Sequence, residues 1–139
     1  MITKDIKDLY VNLPIQNILR ITKFWLNKHN IDNTITEEAL HLLKVILKQN
    51  YFQYSNQFFQ PEKGIAMGLP ISSTIAEIYC QFFEEIYIKQ WLEIKEIIYY
   101  VIYVDDILIV FDQNKTNGKT IMNHINNIDK HLEFKLSDE

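Results

Sequence analysis

Residues 97–111 read Ile-Ile-Tyr-Tyr-Val-Ile-Tyr-Val-Asp-Asp-Ile-Leu-Ile-Val-Phe, an apolar run broken near its middle by two adjacent aspartates. The run has no helical period and is rich in β-branched and aromatic residues, so it predicts strand. It is too short for a membrane span, which needs roughly 20 apolar residues, and lipid would penalise the two carboxylates heavily. The reading is two strands, Ile97 to Val104 buried on both faces and Ile107 to Phe111 as its partner, joined by a very tight turn. Turn chemistry alone explains the aspartates poorly, because neither Asn nor Gly is there to favour such a turn. An arbitrary Asp-Asp is most often an inert, solvated hairpin tip. Here the flanking strands argue otherwise. Two buried carboxylates side by side repel each other, and leaving them unpaired costs several kcal/mol or forces protonation. A divalent cation resolves the conflict, and Mg²⁺ in particular prefers carboxylate oxygens and keeps waters and phosphates as its other ligands.

The rest of the chain supplies a frame for that hairpin. Its 139 residues are 47% apolar and 23% charged, enough to bury a core and too apolar for wholesale disorder. A short strand is expected over Ile2 to Ile6. Pro14 opens a helix with Ile15, Ile18, Ile21 and Trp25 along one stripe. A second helix starts near Thr34 or Thr36, where Thr34 and Glu37 have capping-box spacing. Leu40, Leu43 and Leu47 give it an apolar face, and Asn50 ends it. Tyr51 to Tyr54 and Gln57 to Gln60 form a hairpin around Ser55-Asn56. A third helix runs from about Ser73 with Ile75, Tyr79, Phe82 and Ile86 on one face. Asn114 to Gly118 is a polar turn. Ile121, Ile125, Ile128 and Leu132 mark a fourth helix, and Glu133 to Leu136 a closing strand. No repeat, linker or second domain is visible, so residues 1–139 read as one domain.

Charge and cysteine content narrow the function. The formal net charge of −4 argues against a strong nonspecific grip on nucleic acid by this piece alone. Cys80 is the only cysteine, which excludes an intrachain disulfide and a cysteine zinc site and fits an intracellular setting. The four histidines, His29, His41, His124 and His131, lack metal-ligand spacing. Trp25 and Trp91 read as core or interdomain contacts, and Lys115 to Lys119 as a solvated turn.

Three segments together carry a family resemblance. Tyr103-Val104-Asp105-Asp106 between apolar strands resembles motif C of reverse transcriptases. Upstream, Asp5-Ile6-Lys7-Asp8-Leu9-Tyr10-Val11-Asn12-Leu13-Pro14 resembles motif A. Gly64-Ile65-Ala66-Met67-Gly68-Leu69-Pro70-Ile71-Ser72-Ser73, followed by Ala76 and Phe83-Glu84, resembles motif B. Ile128 to Glu139 is similar to motif D. The Gly-x-x-Met-Gly-x-Pro form with its downstream aromatic-Glu resembles Penelope-like retroelements, with Leu69 where those usually carry Ser.

The resemblance implies an α+β polymerase palm: a small antiparallel sheet, with the motif A strand beside the motif C hairpin, packed on helices. It implies nucleotidyl transfer onto a primer 3′-hydroxyl, with an RNA template, a DNA primer and dNTPs as partners and no membrane. Asp5, Asp105 and Asp106 would be the catalytic metal ligands for two Mg²⁺ ions, or Mn²⁺, roughly 3.5–4 Å apart. The implied nucleotide-binding set is Tyr10, Asp8, Gly68, Met67 and Tyr103. Tyr10 would lie under the sugar and exclude a 2′-hydroxyl by bulk, and Gly68 would let backbone approach the nucleotide. Fingers should precede motif A and a thumb should follow motif D. The chain therefore reads as a palm fragment of a larger element, inactive in isolation, that docks onto the missing segments or self-associates. The rival reading is a noncatalytic retroelement remnant kept as an interaction module.

Overall fold

The computed structural model describes residues 1–61, 63–66, 69–94 and 96–136. It is a mixed helix-and-sheet chain of the α+β class that the sequence predicts, with its antiparallel sheet built as expected around the strand that carries Asp5. The residues group into two compact units, Met1–Leu9 with Cys80–Glu139, and Tyr10–Tyr79.

The first unit holds a four-stranded sheet. Its strands are β1 (Ile2–Lys7), β4 (Ile97–Tyr103), β5 (Asp106–Phe111) and β6 (Glu133–Leu136), in the spatial order β4-β5-β1-β6 and antiparallel throughout. Alternation decides its faces. Lys4, Ile6, Ile107 and Ile109 are buried, while Thr3, Lys7 and Asp106 are exposed. Helix α6 (Gly118–Ile128) buries Ile121 and Ile125. Its first turn is capped by Asn117, whose side chain accepts from Thr120 N at 2.9 Å. Phe83 and Phe134 pack at 5.5 Å between ring centroids. Leu132, expected on this helix, is buried just beyond it, and β6 forms where Glu133 to Leu136 was expected.

Two expectations for the 97–111 run need correction. The strand expected to be buried on both faces is an outer strand: Ile98 is 62% exposed, Tyr99 53% and Tyr103 78%. A register shift between Ile97 and Tyr99 also breaks its alternation. The turn lies one residue earlier than expected. Tyr103 pairs with Asp106, so Val104 and Asp105 are the two turn residues and Asp106 opens β5. A third strand that local pattern cannot see contributes, because pairing with Asp5 on β1 holds Asp106 in extended strand and out of the turn.

The second unit contains α2 (Ile15–Lys28), α3 (Asn33–Lys48) and a hairpin of β2 (Phe52–Tyr54) and β3 (Gln57–Phe59). Pro14 stands at the N-cap of α2, and Ile18 and Ile21 are buried as the stripe requires. Helix α3 starts earlier than Thr34, because Asp32 is the cap and accepts from Thr34 N at 2.8 Å. Ser55 and Asn56 both have positive φ, +49° and +62°, which is what a two-residue hairpin turn compatible with strand twist requires. A four-residue helix, α1 (Leu9–Asn12), follows β1, with Leu9 in the first unit and the rest in the second, and was not anticipated, being too short to show a period.

Helix α4 (Ser72–Phe83) runs into a π-helical turn (Glu84–Ile88) and then α5 (Lys89–Glu93). The wider π turn adds a residue to the repeat, so the buried position after Phe83 is Ile88, five residues on. Phe82 and Ile86, which a continuous 3.6-residue period predicts, are only half-buried.

Candidate active site

Three aspartates meet at one end of the first unit's sheet. Asp5 lies on β1 directly opposite Asp106 on β5. Beyond the last paired position, Ile6 N donates to the Asp105 carbonyl at 2.8 Å, tying the hairpin turn to β1. The chain can make this turn only under strain. Val104 has φ +59°, a left-handed conformation that a β-branched residue rarely adopts, and such a residue costs on the order of 1–3 kcal/mol. Asp8, just past the end of β1, also has positive φ, +51°. Asn and Asp tolerate that region best. Tyr103, paired with Asp106, presents an exposed ring beside the acids. Next to the aspartates, a hollow of about 390 Å³ on the open sheet face is lined by Thr3, Val101, Tyr103, Asp106, Ile107 and Leu108.

The electrostatics match this crowding. Burial pushes the Asp5 carboxyl above the ordinary carboxylate range, and the negative charges of Asp105, Asp106 and Asp8 push it further. Among the described residues no group of three or more His, Cys, Asp or Glu side chains is arranged to hold a metal ion. The donor set nevertheless suits Mg²⁺, which is held by one or two carboxylates and completes its shell with water and substrate phosphates. Mutually repelling carboxylates with no cationic partner among the described residues are the feature such an ion neutralises.

The remaining expected residues are distributed as follows. Tyr10 is half-buried in α1, in the second unit. Met67 and Gly68 lie outside the described residues, as do positions 137–139 at the end of the motif D segment. Within the second unit, Ile65 N donates to the Tyr10 carbonyl at 2.9 Å, joining the tail of the motif A segment to the head of the motif B segment. Gly64 makes that junction possible. Its φ is +78°, and a Cβ there would collide with the Val11 carbonyl oxygen. In the sequence Gly64 stands out only as the first letter of a motif, and its positive φ has no separate signal.

Three titratable groups are shifted by burial in ways the sequence does not signal. Lys4 is 7% exposed on the core face of β1, and burial lowers its pKa. Tyr100 has a buried hydroxyl without a hydrogen-bond partner, and burial, then Glu84 and Cys80, raise its pKa. Burial likewise raises Glu84. No periodicity marks these positions. Cys80 is buried, as a small apolar residue would be. No helix among the described residues is long and apolar enough to cross a membrane.

The sequence model of the family described as Reverse transcriptase (RNA-dependent DNA polymerase) matches residues 1–139. A search of curated proteins returned no match.

Proposed function

The chain belongs to the reverse transcriptase family, and we propose that it is the palm portion of an RNA-directed DNA polymerase in which Asp5 and Asp105 hold two divalent cations and Asp106 supports them. The single observation that carries this reading is the register of β1 against β5, which sets Asp5 opposite Asp106 with Asp105 in the adjoining turn. The ions would lower the pKa of the primer hydroxyl and neutralise charge on the departing pyrophosphate. Tyr10 would exclude a ribose 2′-hydroxyl by bulk, and Asp8, Met67, Gly68 and Tyr103 would border the nucleotide. The Gly-x-x-Met-Gly-x-Pro segment with Phe83-Glu84 supports a Penelope-like origin. The isolated chain is expected not to extend a primer efficiently, since none of the residues assigned to the site supplies the basic contacts that hold a triphosphate.

Manganese binding, followed by electron paramagnetic resonance of the free ion, tests the reading without requiring turnover. Asp5→Asn and Asp105→Asn should each weaken Mn²⁺ binding by roughly tenfold or more. Unchanged binding in both variants would overturn the assignment. Processive extension of oligo-dT on poly-rA by the isolated chain, abolished in Asp105→Ala, would keep the metal assignment and refute inactivity in isolation.

A further inference from the structure

The charge of the chain is unevenly divided. Residues 10–79 carry six Lys and Arg against five Asp and Glu, while the rest carries eight against thirteen. The net acidity therefore conceals a slightly basic unit. Within that unit α2 bears Arg20, Lys23 and Lys28 and no acid at all.

A groove of about 460 Å³ runs between α2 and α3, with Gln16, Arg20, Lys23, Glu37, His41 and Lys44 on its walls. Three fixed cations thus face one acid, Glu37, which bonds Lys23 at 2.6 Å. A second hollow, of about 250 Å³, shares Gln16 with the first and adds Asn50, Gln60 and Lys63. Neither Lys44 nor Lys63 forms an ion pair among the described residues. The same unit exposes aromatic rings on and beside its hairpin: Tyr51 at 57%, Tyr54 at 69% and Phe58 at 74%. Cations that track a backbone and aromatics open for stacking are the two ingredients of single-strand binding.

We propose that the α2–α3 groove, continued past Gln16 to Lys63, binds the phosphate backbone of a single-stranded nucleic acid. It rests on the polymerase reading only in identifying that strand as the unpaired part of the template. The cations act as phosphate counter-charges, and Glu37 limits affinity by neutralising Lys23.

Fluorescence anisotropy of the full chain with a labelled 15-nucleotide oligo-rU, in EDTA and over a range of salt, tests this surface without any chemistry. The Lys23→Gln/Lys44→Gln/Lys63→Gln variant should bind roughly tenfold more weakly at low salt, and the log–log salt slope should fall by about two, near 0.7 for each phosphate no longer neutralised. Glu37→Gln should bind a few-fold more tightly, a gain that misfolding cannot mimic. Lys115→Gln/Lys119→Gln, in the other unit, should change nothing. An unchanged slope in the triple variant, or no gain in Glu37→Gln, overturns the proposal. So does inorganic tripolyphosphate that competes as well as the oligonucleotide at equal phosphate, since the groove would then take a free polyphosphate. Asp5→Asn and Asp105→Asn should leave this binding intact. A chain that holds the strand but loses no Mn²⁺ affinity in those variants therefore keeps the groove and loses the polymerase reading.

Discussion

Asp5 shows how a candidate catalytic group acts against stability. Its carboxyl is raised in the folded chain by burial and then by Asp105, Asp106 and Asp8. Between the unfolded pKa, in the ordinary carboxylate range, and the raised folded value, the native state binds more protons than the unfolded one. Stability must therefore fall as pH rises through that window and stay low above it. Asp5→Asn removes the ionisable group, so in EDTA its urea midpoint should be higher than wild type at pH 7, with a flatter dependence on pH above 4. A wild-type midpoint that rises across the same window would contradict the crowding of charge described above. Three motifs in the right order single these acids out as candidates in the sequence. Their relative placement was not legible there. The apolar run reads with its turn at Asp105-Asp106, whereas the fold pairs Asp106 with both Tyr103 and Asp5 and so turns at Val104-Asp105. A β-branched residue at φ +59° is a position that local propensity would never choose.

Among the elements, those with a strong period came through and those set by a local backbone device did not. Helices α2, α3, α4 and α6 follow apolar stripes, and the β2–β3 hairpin follows Ser55-Asn56. Missed were α1, which is one turn long, the π turn at Glu84–Ile88, which rotates the buried face, and the cap at Asp32, which competes with the Thr34 capping box. Two glycines separate a required conformation from a permissive one. At Gly64 an added Cβ meets the Val11 backbone and φ is positive, so Gly64→Ala should destabilise the chain by about 2 kcal/mol. At Gly118, in the first turn of α6, the nearest atoms to an added Cβ are Ile2 Cδ1 at 3.5 Å and Phe111 Cζ at 3.7 Å, ordinary contacts. Gly118→Ala should instead stabilise by about 0.5–1 kcal/mol by restricting the unfolded chain. Urea midpoints of the two variants should move in opposite directions. A matched loss in both would mean that glycine content, and not the junction between residues 64–65 and α1, sets the cost.

For the molecule as a whole, the proposed metal site and the proposed strand-binding groove fall in different units. The aspartates belong to the unit built from residues 1–9 and 80–139, and the basic groove belongs to residues 10–79. Composition alone blurs this, since a net charge of −4 reports neither part. The separation gives a spatial prediction for metal binding. An ion that binds only the folded site stabilises it by RT ln(1 + [L]/Kd), about 1.4 kcal/mol at ten times Kd. Amides whose exchange requires opening of that site should then exchange roughly tenfold more slowly. With Mn²⁺ added, native-state hydrogen exchange should therefore slow in β1 and across the β4–β5 turn, where Ile6 N is held by the Asp105 carbonyl. Amides that exchange by local fraying of α2 and α3 should be unaffected, because nothing in that groove ligates a hard cation with clustered carboxylates. Asp105→Asn should erase the slowing in β1. Protection that appeared first in α2 and α3 would locate the ion away from the aspartates and undo the two-ligand division of the chain.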